Sequence, residues 1–332
     1  MNAAYMFRLV CLSLASFFLV NGIVGAAAAL FSGAAIRIAE RMRPRPAARF
    51  LFVVRMLPSI LGLTVVLGLC VPSYLWLEPQ IASERVGLAC LLLAGLAGVL
   101  CSRCLLGTVR ACRVSASLRN DWQHSRSDGR LTAEESRAAV DEKVTVVQKK
   151  EPLLVLSGVF RSRVVISHAV LTELSKEQLG VAVRHEVAHR ESRDNLKRLL
   201  LVLSPEFLPF ASGLSALEKA WARLSEWAAD DEAVQGDPER ALSLATALLR
   251  VARMGGRPQL SVLHTSLLPE DDGLAARVDR LLGCEPLPMG KITDTRFCGI
   301  ARGLCFAACA LILTGVPSAL SSVHRLLELF LH

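Results

Sequence analysis

Hydrophobic residues are gathered into long runs towards the two ends of the chain, and polar residues dominate the stretch between them. Crossing the hydrocarbon layer of a bilayer takes about 20 apolar residues in a helix, and four runs meet that length. They cover residues 9–36, 56–76, 86–109 and 304–320. A fifth run, 199–213, is shorter and contains two prolines and a glutamate, so we expect an interfacial or re-entrant segment there rather than a crossing.

Charged residues around these runs predict how the chain lies across a membrane. The segment after the first run has one glutamate against five arginines, namely Arg37, Arg41, Arg43, Arg45 and Arg49. Residues 103–150 hold ten Lys or Arg. Because basic loops stay in the cytoplasm, we predict an external N-terminus and a cytoplasmic polar segment. The same arginines argue against a cleaved signal peptide in the first run.

Composition agrees with a membrane protein. Of the 332 residues, 52% are hydrophobic and 20% are charged, and the mean hydropathy is +0.43. These values exclude a disordered chain and disfavour an ordinary soluble enzyme. Basic cytoplasmic loops account for the net charge of +8, and no basic stripe interleaved with aromatic residues is present. We therefore expect the lipid bilayer as a partner and no direct contact with nucleic acid.

The polar segment contains signals for a small sheet followed by three helices. Short β-branched or aliphatic runs predict strands, arranged as a hairpin or a small sheet, at 144–147, 153–156 and 164–167. The string Ser175-Lys-Glu-Gln178 is a capping box that begins a helix continuing past residue 189. A second capping box, Ser215-Ala-Leu-Glu218, predicts a helix to about residue 235. Asp237-Pro238 begins a third helix.

The first of these helices contains the string His185-Glu-Val-Ala-His189. Four residues make slightly more than one helical turn, so both imidazoles project from one face and can reach the same ion. Glu186 lies beside the pair and can accept a proton from the attacking water. Zinc suits this pair, and a hydrolytic zinc site has three protein ligands and one open position. The alternative is a solvated helix with a chance pair of histidines.

The second helix offers carboxylates for the third position. Glu226 and Asp230 are four residues apart on one helical face. We predict that Glu226 binds the metal and that Asp230 accepts the N–H of a metal-binding histidine, which fixes its tautomer. Asp231 and Glu232 are neighbouring acids that could exchange roles with Asp230. We expect His264 to be a loop histidine and not a ligand.

The motifs of the polar segment follow one another in a characteristic order between about residues 144 and 282. After the predicted strands come a Leu-Ser-x-Glu-Gln helix start, His-Glu-x-x-His, Arg193-Asp-Asn195 and Glu226-x-x-x-Asp230. This order resembles the membrane zinc peptidases of the BlaR/MecR antirepressor family and, more distantly, the HtpX and CAAX prenyl protease group. The resemblance implies that His185, His189 and Glu226 bind Zn²⁺ and that Glu186 is the catalytic base. It also implies an endopeptidase that works at the cytoplasmic face of a membrane.

Two features qualify the resemblance. BlaR and MecR proteins carry an extracytoplasmic β-lactam-sensing domain after their last span, whereas this chain has about a dozen residues after position 320. We therefore expect no antibiotic sensing through such a domain. Related peptidases use a late basic residue to stabilise the oxyanion, a role that falls here to Arg277. The alternative is a surface arginine that pairs with Asp272 or Asp279.

Taken together, the patterns predict a mainly α membrane protein with about four transmembrane helices and a cytoplasmic α+β zincin-like (gluzincin) peptidase domain. Its parts are an N-terminal membrane domain of three spans, a zinc peptidase domain, and a C-terminal transmembrane helix with a short tail, at 1–109, 110–298 and 299–332. The predicted function is a multi-pass zinc metalloendopeptidase of the inner (plasma) membrane. Its substrate is a protein or peptide, for example a transcriptional repressor, and an extended substrate is expected to pair with the edge of the 153–167 sheet.

Other functions stay open at this point. One alternative is an HtpX-like protease for quality control of membrane proteins, and another is a non-catalytic signalling scaffold that keeps the peptidase fold. A channel or transporter is disfavoured because the apolar runs contain almost no paired charges. Arg55 and Arg302 are expected at the ends of runs, where they can reach the interface.

Overall fold

A computed structural model describes residues 3–77, 86–124, 144–149, 151–206, 212–255, 265–266 and 273–283. Within these ranges the chain is mainly helical and contains one small sheet. The predicted fourth run at 304–320 lies outside the described residues, as do Arg302, Asp272 and His264.

Among the described residues, three helical segments are long and apolar enough to cross a membrane, namely Ala3–Leu30, Pro44–Leu77 and Leu88–Trp122. The elements that form this part are α1 (Ala3–Leu30), α2 (Ser32–Ala39), α3 (Pro44–Val65), α4 (Val71–Leu77) and α5 (Leu88–His124). A π-helical turn at Val66–Cys70 joins α3 to α4 without a break. The 34-residue segment is about 51 Å long at 1.5 Å per residue. Since the hydrocarbon core is about 30 Å thick, part of this segment lies outside it.

The boundaries of the predicted runs differ from those of the helices. The run at 9–36 was expected to be one element, but α1 ends at Leu30 and a separate short helix, α2, follows. Most of the arginine-rich loop is helical as well, because Pro44 begins α3 at a position that suits proline. The predicted domain boundary between 109 and 110 falls inside α5, which continues to His124.

The sheet has four strands in the order β1-β3-β2-β4, and they are β1 (Val144–Val147), β2 (Leu154–Ser157), β3 (Arg163–Ser167) and β4 (Thr265–Ser266). The predicted hairpin is present, because β2 and β3 pair in antiparallel fashion. Pairing of an extended substrate with an edge of this sheet stays a prediction, and the outer edges of the described sheet belong to β1 and β4. β3 pairs with β1, and Val155 and Leu156 of β2 already pair with β4.

In the part of the chain that the structure describes, six further helices surround the sheet and the candidate site, namely α6 (His168–Glu173), α7 (Lys176–Ser192), α8 (Asp194–Leu203), α9 (Ser212–Val234), α10 (Pro238–Arg253) and α11 (Leu274–Leu281). The capping box at Ser175 is confirmed, and Asp237 caps α10 as predicted. The capping box at Ser215 is wrong. α9 begins earlier, at Ser212, so Ser215 lies inside the helix and donates its hydroxyl to the Ser212 carbonyl.

The helix α9 belongs to two hydrophobic cores. Its first half, including Leu217 and Leu224, packs with residues of α2, α3 and α8. Its last residues, Ala233 and Val234, pack with the sheet, α7 and α10. On the other side of the sheet, Trp122 near the end of α5 packs with residues of β1, β2 and β3. The sheet is therefore attached to the long apolar helices at two places.

The side chain of Arg55 was predicted to reach the membrane interface from the end of a run, but it is buried. It is only 2% exposed, and its guanidinium binds the carboxylates of Glu206 and Glu218. The reason is that α9 packs along the first half of α3 and places Glu218 beside Arg55, so the guanidinium is paired inside the protein. Arg55 directly precedes the run at 56–76, so this pairing lies beside that run and not within it.

The packing of α9 on α3 makes a prediction about stability. Leu217 is fully buried in the shared core, and Leu242 on α10 is 59% exposed. Leu217→Ala should reduce the free energy of unfolding by about 2–5 kcal/mol because it leaves a cavity. Leu242→Ala should change it by less than about 0.5 kcal/mol. Unfolding of the detergent-solubilised protein measures both, and equal effects of the two variants would contradict this packing.

Candidate metal centre

Two histidines and one carboxylate meet in the interior between α7 and α9. The Nε2 atoms of His185 and His189 are 3.2 Å apart. Oε2 of Glu226 lies 3.5 Å from Nε2 of His185, and Oε1 lies 3.5 Å from Nε2 of His189. Among the described residues, these three form the group of His, Cys, Asp and Glu side chains that could hold a metal ion. The structure thus brings together the three ligands that the sequence predicts.

The separations fit an ion with tetrahedral coordination. Two ligand atoms bound at about 2.0–2.1 Å, as zinc binds imidazole and carboxylate, lie about 3.3–3.4 Å apart across a tetrahedron. The three separations here are 3.2, 3.5 and 3.5 Å. Both Nδ1 atoms face carboxylates, a contact that favours ring protons on Nδ1 and leaves the two Nε2 atoms facing each other. With the Glu226 carboxylate beside them, these atoms could hold a metal ion.

Asp230 is the carboxylate that faces His185, as predicted. Its Oδ1 lies 2.9 Å from Nδ1 of His185, although the N–H is poorly aligned with it. Burial raises the pKa of Asp230, but Arg277 and His185 more than offset this and lower it to about 2. The neighbouring acids do not share this role, because Asp231 binds Arg280 and Glu232 binds Arg45.

Asp194 plays the same part for His189 and was not identified from the sequence. Its Oδ2 lies 2.8 Å from Nδ1 of His189 and accepts a hydrogen bond of 2.7 Å from the Ser225 hydroxyl. Burial raises the pKa of Asp194, but His189 and Lys197 offset this and lower it to about 2. The Arg193-Asp194 string, which ends five residues after His189, was the feature of the sequence that could have indicated this role. Arg193 takes a left-handed conformation with φ of 54°, which ends α7 and turns Asp194 back to the histidine.

Arg277 lies in the site, so the alternative of a surface arginine is wrong. It is 2% exposed and donates to Asp230 through both Nε, at 2.9 Å, and Nη2, at 2.6 Å. Its Nη1 is 3.2 Å from Oε2 of Glu226, and its Nη2 is 3.5 Å from Nε2 of His185. Burial lowers the pKa of Arg277, but Asp230 and Glu226 raise it by more, so the guanidinium stays charged.

Glu186 is fully buried, and neither oxygen of its carboxyl has a hydrogen-bond partner among the described residues. Burial raises the pKa of Glu186 to about 7, against the opposing effect of the two histidines. A buried carboxyl without hydrogen-bond partners reduces the stability of the fold. Groups with such a raised pKa are typical of functional sites, and the place of Glu186 beside the two histidines suits a role in proton transfer.

Three buried carboxylates and three cationic side chains surround the two imidazoles. Asp194, Glu226 and Asp230 all keep pKa values below their usual range. Their described cationic partners are Arg277, Lys197 and Arg198, whose Nη2 lies 3.9 Å from Oε1 of Glu226. Burial lowers the pKa of His189, but Glu226 and Asp194 raise it to about 10. A divalent cation at this site would compete with a proton for the imidazoles.

The ligands are closed off from solvent in this conformation. His185, Glu186 and His189 are fully buried, and Glu226 is 6% exposed. Next to His189 lies a pocket of about 400 Å³, lined by the β2–β3 turn and by residues around the α7–α8 junction. Phe160 at the tip of that turn is 84% exposed.

Comparison with known proteins gives no relative: no family model, no curated protein and no solved structure matches the chain. The function has to be argued from the residues of the site themselves.

The contact of Asp194 with His189 makes a prediction about metal affinity. Asp194→Asn removes the charge that orients the imidazole, and loss of such a partner costs about 10–100-fold in affinity. Asp279→Asn on α11 is the matched control, because Asp279 is exposed. Competition between the protein and a chelator for zinc measures both. Equal affinity of Asp194→Asn and wild type would show that Asp194 does not support the ligand.

Proposed function

We propose that this protein is a membrane-bound zinc metalloendopeptidase that cleaves protein substrates at the cytoplasmic face. One observation carries the proposal. Two imidazoles and a carboxylate stand with their ligand atoms 3.2–3.5 Å apart, directly beside the unpaired carboxyl of Glu186. Ligands and base in this arrangement are those of a hydrolytic zinc site. A zincin-like fold for the polar segment is part of the same proposal.

The donor atoms favour zinc over other ions. Two neutral imidazoles and one carboxylate suit a borderline-soft ion in tetrahedral coordination, whereas magnesium and calcium prefer oxygen atoms alone. Zinc, when bound by His185, His189 and Glu226, supplies a Lewis acid that polarises a peptide carbonyl and lowers the pKa of water.

Glu186 supplies the proton transfer. As a base, its carboxylate accepts a proton from the attacking water, and as an acid it delivers that proton to the leaving amine. A group serves both steps best when its pKa is near the working pH, and burial raises the pKa of Glu186 to about 7. Its surroundings also exclude competing hydrogen bonds, since neither carboxyl oxygen has a described partner.

Arg277 is the residue that we assign to the developing oxyanion. Asp230 holds the guanidinium by two hydrogen bonds, which leaves Nη1 directed at Glu226, 3.2 Å from Oε2. A fixed positive charge beside the ligand atoms stabilises negative charge that appears on the carbonyl oxygen in the transition state.

The membrane location rests on the three long apolar helices. The basic segments that follow the first and third helices favour a cytoplasmic location for the polar segment, and we propose that the protein lies in the inner (plasma) membrane. The substrate is then a cytoplasmic protein, such as a repressor, or a membrane protein under quality control.

A second candidate function is a non-catalytic signalling scaffold that keeps the peptidase fold. Burial favours it, because His185, Glu186 and His189 are fully buried and Glu226 is only 6% exposed.

Replacement of the base separates these two functions. Glu186→Gln should retain zinc and lose at least about 100-fold in the rate of cleavage, because proton transfer by a positioned group contributes about 10²–10⁴-fold. Glu191→Gln, an exposed acid on the same helix, is the control. The assay uses full-length protein in detergent with casein as an unfolded substrate. Full activity in Glu186→Gln would contradict its role, and zinc-bound wild type without activity would favour the scaffold.

Arg277→Lys tests the oxyanion role. Lysine keeps a positive charge but cannot reproduce the two parallel hydrogen bonds to Asp230. We expect kcat to fall by about 100-fold, the usual effect of losing one transition-state donor, with zinc content and KM unchanged. Loss of zinc in this variant would show that Arg277 supports the ligands through Asp230 and does not act on the substrate.

A further inference from the structure

A buried arginine on the second long apolar helix binds both of the helices that support the metal site. Nε of Arg55 donates to Oε1 of Glu218 on α9 at 2.8 Å, and Nη2 lies 2.7 Å from the same oxygen as an ion pair. Its Nη2 also donates to Oε1 of Glu206 at 2.7 Å, and its Nη1 donates to the hydroxyl of Ser204 at 3.3 Å. Ser204 and Glu206 directly follow α8. We refer to Arg55, Ser204, Glu206 and Glu218 as the Arg55 cluster.

The Arg55 cluster continues into the first apolar helix through a chain of hydrogen bonds. The hydroxyls of Ser204 and Ser59 are 2.6 Å apart, and Nδ2 of Asn21 on α1 donates to Ser59 at 3.2 Å. Removing an arginine from water costs several kcal/mol unless its donors are satisfied. The pairing therefore favours one arrangement of α1, α3, α8 and α9.

The helices α8 and α9 run in opposite directions between the Arg55 cluster and the metal site. α8 begins at Asp194, beside His189, and ends just before Ser204. α9 passes Glu218 and then Ser225, which lies on the same face because seven residues make nearly two turns, about 10 Å along the axis. Ser225 donates to Asp194 at 2.7 Å. The two helices are thus fastened at the metal end by Asp194 and Ser225, and at the other end by Arg55.

The fastening at the metal end involves the ligands directly. The Asp194 oxygen that accepts from Ser225 is the one that faces Nδ1 of His189. The residue after Ser225 is the ligand Glu226. A shift of α8 along α9 would therefore move the support of one ligand relative to another ligand, and metal–ligand distances tolerate only about 0.2 Å of change.

We propose that Arg55 is a positioning residue for the metal centre. From its place in a membrane helix it holds α8 in register with α9, and so fixes His189 relative to Glu226. The inference rests on the proposed function only in that a metal binds at this site. It adds that the arrangement of the apolar helices controls the affinity and geometry of that site.

The chain offers a matched pair of variants for a test. Arg55→Gln removes the charge from the buried cluster. Arg45→Gln breaks another ion pair between the same two helices, the 2.8 Å contact of Arg45 with Glu232, whose side chains are 43% and 40% exposed. The full-length protein in detergent is titrated with zinc against a chelator. The visible absorption of the cobalt-substituted site reports ligand geometry, and thermal unfolding of the metal-free form reports stability.

Arg55→Gln is expected to weaken zinc binding about tenfold, the lower end of the effect of losing an outer partner of a metal ligand, and to change the cobalt spectrum. Arg45→Gln should stay within about twofold of wild type, since exposed ion pairs contribute little. Wild-type affinity and spectrum in Arg55→Gln would overturn the inference. An equal loss of zinc affinity in both variants would also overturn the inference, because the effect would then not be specific to Arg55 among the contacts between α3 and α9.

Glu218→Gln decides the matter if Arg55→Gln does not fold. This variant leaves Arg55 bound to Glu206 and Ser204 and weakens only its contact with α9. We therefore expect weaker zinc binding, whereas the unfolding temperature of the metal-free protein should not change. Unchanged zinc affinity in Glu218→Gln would then overturn the inference. If the wild-type protein binds no metal, both the proposed function and this inference are contradicted. If metal binds but its affinity does not depend on the Arg55 cluster, this inference alone is contradicted.

Discussion

The architecture depends on one electrostatic constraint, the burial of several carboxylates around two imidazoles whose lone pairs face each other. Asp194, Glu226 and Asp230 are all almost fully buried, and a buried charge is tolerated only when it is paired and hydrogen-bonded. Arg277, Lys197 and Arg198 pair with these carboxylates, and we propose that a divalent cation completes the site. Helices α7, α8, α9 and α11 each contribute a charged or ligating side chain, so the site joins three separate parts of the chain, since α8 directly follows α7.

The site is also built onto the long apolar helices. Pro44–Leu77, about 51 Å long, exceeds the roughly 30 Å needed to cross the hydrocarbon core of a bilayer, and α9 packs on its first half. The same α9 carries Glu226 and Asp230 and then enters the core under the sheet. Trp122 at the far end of α5 gives a second attachment to the sheet. A displacement of the apolar helices therefore has a direct physical route to the ligands.

Sequence patterns predicted the parts of the site that depend on short separations. The spacing of His185 and His189, the capping box at Ser175 and the spacing of Glu226 and Asp230 follow from helix geometry alone. The partners of Arg55 and Arg277 could not be read in this way, because Asp230 lies 47 residues from Arg277 and Glu218 lies 163 residues from Arg55. Asp194 is only five residues from His189, but their contact depends on the left-handed conformation of Arg193. Ser215 failed as a cap for a related reason: tertiary packing of α9 on α3 extends the helix by one turn beyond its local signal.

The most direct test of this account is the metal content of the purified full-length protein, compared with that of Glu226→Ala. The account predicts about one zinc ion per chain in the wild type, held by three protein ligands, and its loss in the variant. Glu232→Ala, an exposed acid on the same helix, should keep the metal. A freshly prepared wild type without zinc, or a Glu226→Ala variant that holds as much zinc as the wild type, would contradict the three-ligand site.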